Sequence, residues 1–140
     1  MADQGYRLTI LTEARAVVDE SVYSIIAPGT EGYLGVLRNH AALVTQLQPG
    51  KLSVTDLARN TMQYSIAGGF LEVRNNTATI LADALEAARD IDLERAERAA
   101  ARARERLQQK ASGLDTDRAE AALKRALNRI RVARQAGLRN

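Results

Sequence analysis

The apolar pattern of this chain changes its period between Asp83 and Asp90, and that change constrains the fold more than any other feature. Before it, short runs alternate or are rich in β-forming residues, which predicts strands. The predicted strands are YRLTIL, VVDESVYSII, LGVL, ALVTQL, KLSV, TMQYSI, FLEVR and TATILA. After it, apolar residues recur every three or four positions, which is the spacing of one face of a helix. The sequence therefore predicts an all-β part followed by a helical part.

Residues that favour tight reversals separate the predicted strands. They are Pro28-Gly29, Pro49-Gly50, Arg59-Asn60 and Asn75-Asn76. No helical period lies between the strands, which favours an antiparallel sandwich or barrel over a parallel sheet. Gly68 and Gly69 indicate a bulge or a crowded backbone crossing.

Two amphipathic helices are predicted in the second part. Their apolar stripes are Leu93, Ala96, Ala100, Ala103 and Leu107, then Ala119, Ala122, Leu123, Ala126, Ile130 and Ala133. Asp90 or Asp92 is expected to cap the first helix, Gly113 to end it, and Asp117, with Glu120 three residues later, to start the second. So short a connection predicts an antiparallel hairpin.

The stripes consist mostly of alanine, which removes little apolar area from water when it is buried, at roughly 25 cal/mol per Å². The hairpin should therefore be held weakly. Alanine also has the highest helix propensity, so each helix could persist without its partner. Two interpretations stay open here: a module that changes partners, and a permanently docked hairpin.

The positive charge of the chain belongs to its second part. Residues 1–89 carry 7 Lys/Arg and 9 Asp/Glu, a net charge of −2, whereas residues 90–140 carry 13 and 8, a net charge of +5. From Lys124 onward there are six basic residues and no acidic one. This run favours an acidic partner, although a merely solvated face would look the same. Nucleic-acid binding is the alternative function, but this helix lacks stacking aromatics and a helix-turn-helix motif.

Catalytic and metal sites find little support. The chain has no cysteine and a single histidine, His40, so that no metal-ligand set is apparent. Neither Ser53 nor Ser65 lies in a G-x-S-x-G context, which leaves a small hydrolase built on His40 as a weak alternative to a structural or interface role. PGTEGYLG lacks the Lys-Ser/Thr of a P-loop. There is no apolar run of about 18 residues and no secretory signal pattern, so a soluble chain of the cytosol is expected.

Three stretches carry a family resemblance: PGTEGYLGVLRNHAALVTQLQPGKL, SIAGGFLEVRNNTATILADALEA and DIDLERA. In this order and spacing they resemble the epsilon subunit of bacterial F-type ATP synthases, over essentially the whole chain. The resemblance implies a flattened β-sandwich of about ten strands in residues 1–86 and a two-helix hairpin in residues 87–140. It also implies a non-catalytic rotor and regulatory subunit, peripheral to the cytoplasmic side of the inner membrane.

The resemblance assigns partners to both parts. The sandwich is expected beside the gamma subunit and on the c-ring, with Glu31, Tyr33 and His40 in the stalk-foot surface. Many members have an acidic residue in place of Tyr33, and NHAAL lacks the family's proline after this histidine. The hairpin is expected either to fold against the sandwich or to extend along gamma. In the extended position it hinders ATP hydrolysis by alpha and beta, and its basic residues meet acidic segments of beta. Those residues are Lys124, Arg125, Arg129, Arg131 and Arg134.

Some members of this family bind ATP in the folded hairpin, through an I-D-x-x-R-A segment and arginines of the second helix. The residues that match this pattern are Ile91, Asp92, Arg95, Ala96, Arg125 and Arg129. ATP is therefore expected as a regulatory ligand, with no cofactor required and no metal site. The competing interpretation is that Asp92 only caps its own helix or pairs within it.

Overall fold

Nine strands and three helical segments form the part of the chain that the computed structural model describes, residues 5–109 and 113–137. The strands are β1 Tyr6–Leu11, β2 Ala16–Gly29, β3 Gly32–Val36, β4 Leu43–Leu47, β5 Gly50–Asp56, β6 Thr61–Ile66, β7 Gly69–Arg74, β8 Thr77–Ala82 and β9 Leu85–Ala87. A short 3₁₀ helix spans Ala88–Asp90, α1 spans Leu93–Gln108 and α2 spans Gly113–Gly137. The chain divides into two units, Met1–Glu86 and Ala87–Asn140.

The strands form a sheet in the order β1-β8-β7-β4-β2-β5-β6-β9, with β3 also paired to β2. The long strand β2 pairs with β1 through its first half and with β3, β4 and β5 through its second half. It therefore belongs to both layers of the sandwich and closes the sheet on itself. The strand pairs whose residue register the structure describes are antiparallel, as predicted, except β1 with β8, which is parallel. These two strands are far apart in sequence, so no tight hairpin forces them to be antiparallel.

The core of the sandwich is aliphatic. Its fully buried large side chains include Leu8, Ile10, Ile25, Leu52, Ile66, Leu71 and Ile80. Each contributes about 1.5–3 kcal/mol by leaving water. Tyr6 is also buried and its hydroxyl donates a hydrogen bond to the Val36 carbonyl at 2.8 Å. Burial raises the pKa of Tyr6 far above its ordinary value, so this phenol stays a neutral donor.

The turn between β7 and β8 follows the prediction from Asn75-Asn76, whereas the turn after β2 does not. Asn75 and Asn76 have φ values of 52° and 57°, as a two-residue hairpin of type I′ requires. Pro28 and Gly29, predicted as a turn, remain in β2, and the chain reverses at residues 30–31 instead. Pro28 pairs with Tyr33 of β3, and its ring lies against Gly50, the first residue of β5, where a Cβ would overlap it.

The second helix begins earlier than its sequence predicts. Gly113 does not end α1, which finishes at Gln108; it is the first residue of α2, and Asp117 lies inside that helix. The capping pattern at Asp117 and Glu120 was therefore a wrong prediction of the helix start. Acidic residues in the first turns of a helix stabilise it through the macrodipole without being caps, which explains why the pattern was misleading.

The crowded backbone predicted at Gly68 and Gly69 is present. Gly69 has a φ of 143°, and a Cβ built there would overlap the carbonyl oxygen of Leu81 on the neighbouring strand. Only glycine fits this position, because a side chain would force β7 and β8 apart.

Substitution of Gly69 should therefore destabilise the sandwich. We expect Gly69→Ala to lower its free energy of unfolding by about 2 kcal/mol or more. Gly35→Ala is the matched control, since its nearest neighbour would lie 3.9 Å away, and should change stability by less than about 1 kcal/mol. Urea titration followed by tyrosine fluorescence reports this unit, because all four tyrosines lie in it and the chain has no tryptophan. Equal stability of the two variants would contradict the close approach at Gly69.

Candidate functional site

The two long helices pack through alanine. Ala96, Ala100 and Ala103 of α1 are fully buried, as are Ala119 and Ala126 of α2, so the predicted stripes are confirmed at these positions. The larger residues at the two ends of the α1 stripe are only half-buried. Contact between the helices thus depends on small methyl groups.

The second helix also buries residues that the stripe did not include. Asn128 and Val132, spaced by one turn, are 3% and 1% exposed, and they point away from the side of α2 that carries Ala119. The helix also contacts the 3₁₀ segment Ala88–Asp90. The only signal of this burial in the sequence is that Asn128 and Val132 are four residues apart. Because Asn128 is polar, the two residues do not form an apolar stripe.

Asp92 is the N-cap of α1. Its Oδ1 accepts a hydrogen bond from the backbone N–H of Arg95 at 3.1 Å, and its backbone carbonyl accepts the first helical bond from Ala96. The interpretation of Asp92 as a cap is therefore realised. Asp92 and Arg95 remain exposed, Ile91 is half-buried and Ala96 is fully buried.

The arginines of α2 lie further along the hairpin. The Arg134 guanidinium donates to Glu97 at 2.9 Å, so Arg134 of α2 lies level with Glu97 of α1 in the antiparallel pair. Because Arg129 precedes Arg134 by five residues, it lies level with a position near Arg102, about 10 Å along the axis from Arg95. Arg125 lies about one turn beyond it on the same side of α2. A ligand that joined Asp92 to these arginines would have to be extended.

No compact metal site accompanies these residues. In the described ranges 5–109 and 113–137, no group of three or more histidine, aspartate or glutamate side chains is placed to hold a metal ion. Within the same ranges, no helix is long and apolar enough to cross a membrane.

Strand β3 separates the stalk-foot residues expected from the sequence. Glu31 lies in the turn before β3 and His40 in the loop after it, with about 17 Å of extended strand between them. Tyr33 is exposed, and its hydroxyl accepts a hydrogen bond from the Lys51 backbone N–H at 3.0 Å. Glu31 and Tyr33 thus share one end of the strand, while His40 lies at the other.

Two asparagines hold the loop of His40. The Asn39 N–H donates to Asn76 Oδ1 at 2.6 Å, and Asn76 Nδ2 donates to Asn39 Oδ1 at 3.0 Å. The ring Nδ1 of His40 lies 2.7 Å from the Ala41 carbonyl. This loop is therefore tied to the β7–β8 turn, and the imidazole is engaged with its own backbone.

A patch of exposed apolar side chains lies on the outer face of β1, β8, β7 and β4. It consists of Val44, Phe70 and Leu81, which are 71%, 53% and 52% exposed, with Leu11 half-buried beside them. Phe70 pairs with Leu81, and Leu81 pairs with Leu11. Contiguous exposed apolar side chains are typical of a protein interface. The sequence signal for this patch is that FLEV and TILA carry apolar residues in both phases of the strand alternation.

Family models match both units of the chain. The description "ATP synthase, Delta/Epsilon chain, beta-sandwich domain" covers residues 5–88, and "ATP synthase, Delta/Epsilon chain, long alpha-helix domain" covers residues 89–134. The chain belongs to the ATP synthase delta/epsilon chain family. Two parts of the prediction, the β-sandwich followed by a helical hairpin and the resemblance to the epsilon subunit, are confirmed.

Named relatives agree with this family. An ATP synthase epsilon chain of Pelotomaculum thermopropionicum is 51% identical over 135 residues, which cover 96% of this chain and 100% of the relative. One of Desulforamulus reducens is 44% identical over 127 residues, covering 91% and 96%. The nucleic-acid-binding alternative finds no support in these matches.

Solved structures agree as well. A chain in the cryo-EM structure of Euglena gracilis mitochondrial ATP synthase, OSCP/F1/c-ring in rotational state 1, matches with a TM-score of 0.80 and 28% identity, covering 96% of this chain and 82% of that one. A chain of the Tetrahymena thermophila mitochondrial ATP synthase central stalk/c-ring structure shares the fold, with a TM-score of 0.55 and 21% identity, covering 93% and 94%.

The cap at Asp92 is open to a direct test. We expect Asp92→Ala to lower the opening free energy at the start of α1 by about 0.5–2 kcal/mol, because the Arg95 N–H loses its acceptor. Asp92→Asn keeps a capping oxygen while it removes the charge, and should change little. The rate of amide hydrogen exchange at Arg95 measures the opening free energy of both variants. If Asn were as disruptive as Ala, the charge of Asp92 and not its cap would stabilise the helix.

Proposed function

We propose that this chain is a non-catalytic rotor subunit of the F-type ATP synthase: its sandwich is anchored in the central stalk and its hairpin restrains ATP hydrolysis. The observation that carries the proposal is the unequal construction of the two units. The sandwich has a dense aliphatic core and an exposed apolar patch, whereas the hairpin is basic and its two helices pack through alanine. The first suits a fixed base and the second a mobile element.

The apolar patch supports anchoring of the sandwich beside the gamma subunit. Val44, Phe70 and Leu81 expose half or more of their surface, so a partner that covers them gains roughly 25 cal/mol for each Å² removed from water. Glu31 and Tyr33 would meet the c-ring at one end of β3, and His40 would meet gamma at the other. On this proposal the subunit lies at the cytoplasmic side of the inner membrane and is held there by the complex.

The basic residues of α2 support a contact with acidic segments of the beta subunits. Lys124 and Arg131, spaced by seven, lie on one side of the helix, and Arg125 and Arg129 on another. Arg134 adds to the positive charge near the helix end. Each exposed ion pair contributes about 0–1 kcal/mol, so inhibition of hydrolysis needs several of these residues together.

Removal of the hairpin tests the inhibitory role. We expect a chain truncated before residue 90 to support assembly and ATP synthesis, while ATP hydrolysis by the complex rises, because the basic helix no longer reaches beta. The double substitution Lys124→Gln and Arg131→Gln keeps both helices and should raise hydrolysis in the same direction but less. Hydrolysis that stayed unchanged in the truncated complex would contradict the proposal.

A second part of the proposal is that ATP binds the closed hairpin. Asp92 and Arg95 would hold the base or ribose end, and Arg125 and Arg129 would bind the phosphates, since guanidinium groups bind phosphate oxygens in pairs of hydrogen bonds. The separation of about 10 Å between Arg95 and Arg129 suits an extended nucleotide. Arg129 is half-buried, which strengthens its attraction for phosphate by lowering the local dielectric.

Calorimetric titration of the isolated chain with ATP tests this site. We expect saturable binding that Arg129→Ala weakens by about 10-fold or more, the loss of a charged hydrogen bond. Arg131→Ala removes the same charge from another side of α2 and should weaken binding by less than about threefold. Absence of heat at millimolar ATP would contradict nucleotide binding.

A further inference from the structure

We propose that Glu97 is an internal substitute for the acidic segments of beta. By binding Arg134 it keeps the hairpin closed, and it withholds from beta one of the charges that restrain hydrolysis. This inference rests on the proposed function of the hairpin and adds the device that regulates it. No feature of the sequence distinguished Glu97, because its partner lies 37 positions away.

This ion pair lies far from the connection between the two helices. Arg134 Nη2 and Glu97 Oε1 are 2.9 Å apart, near the start of α1 and the end of α2. Glu97 lies 11 residues before Gln108, the last residue of α1, hence about 17 Å from the connection between the helices. This is the open end of the hairpin, where the two helices move furthest apart when they separate. An ion pair at this end is broken by a small separation of the helices, whereas one beside the connection could survive it.

The pair is weak enough to exchange. The side chains of Arg134 and Glu97 are 62% and 45% exposed, and pairs of this kind contribute about 0–1 kcal/mol. Against an interface of alanine methyl groups, even this contribution shifts the balance between closed and open hairpins. The exposed guanidinium also lets an incoming carboxylate approach before the Glu97 contact is lost. Since both carboxylates compete for one guanidinium, closure of the hairpin and contact with beta oppose each other.

The isolated full-length chain tests the tie itself. The sequence has no cysteine, so Ala101→Cys and Ala121→Cys, both at exposed positions of α1 and α2, introduce unique sites for spin labels. We expect Glu97→Gln to raise the ratio of open to closed hairpins about two- to fivefold, as judged from the distance distribution. Glu105→Gln removes the same charge from the same helix and should leave the ratio unchanged. A ratio that Glu97→Gln does not alter would overturn the proposal.

A charge swap distinguishes the effect of Glu97 on closure of the hairpin from the effect of Arg134 on ATP hydrolysis. Glu97→Arg combined with Arg134→Glu rebuilds the pair in reverse, so the closed fraction should return while position 134 is lost to beta. In the assembled complex, Glu97→Gln should therefore lower ATP hydrolysis by up to about fivefold, whereas the swap should not.

The truncated chain distinguishes this inference from the proposed function on which it rests. If truncation before residue 90 raised hydrolysis but Glu97→Gln left it unchanged, the role of Glu97 would be overturned and the inhibitory hairpin would stand. If neither variant changed hydrolysis, the proposed function itself would fail.

Discussion

Contact between alanine methyl groups is the interaction on which the proposed function of the hairpin depends. A buried leucine or isoleucine of the sandwich contributes about 1.5–3 kcal/mol, whereas each methyl group contributes about 0.8 kcal/mol. The sandwich has many of the former, and the helix interface is built mainly from Ala96, Ala100, Ala103, Ala119 and Ala126. The first unit is thus held together by many large apolar contributions, while the second is held by an interface that a few exposed polar contacts can bias.

Opening of such a hairpin costs its interface but not its helices. Alanine has the highest helix propensity, and α1 and α2 have 16 and 25 residues, above the length of about 12–15 residues below which an isolated helix is marginal in water. The Asp92 cap belongs to α1 alone, so it survives separation. Alanine therefore does two things at once: it weakens the contact between the helices and preserves each helix without the other.

Local chemistry was predictable from the sequence, and long-range geometry was not. Asn75-Asn76 specified its turn because both residues tolerate positive φ, which needs no information from the rest of the chain. The turn predicted at Pro28-Gly29 was wrong because this segment pairs with β3 and with Leu47 of β4, and pairing between strands is not encoded by the dipeptide itself. The stripes of α1 and α2 followed from period, but the ion pair of Glu97 with Arg134, the burial of Asn128 and the apolar patch depend on which elements meet. The sequence therefore identified the residues of the candidate site, but not how the alignment of α1 and α2 places them relative to one another.

The alignment of the two helices implies that ATP and Glu97 both favour the closed hairpin. On the proposed function, a nucleotide contacts Asp92 on one helix and Arg129 on the other, about 15 Å apart along the axis, so it binds only while the helices are together. Such a ligand stabilises the closed state by RT ln(1 + [L]/Kd). Glu97 favours the same state at all times through Arg134. The constant tie between Glu97 and Arg134 and a nucleotide that spans from Asp92 to Arg129 would then add, because they use different arginines.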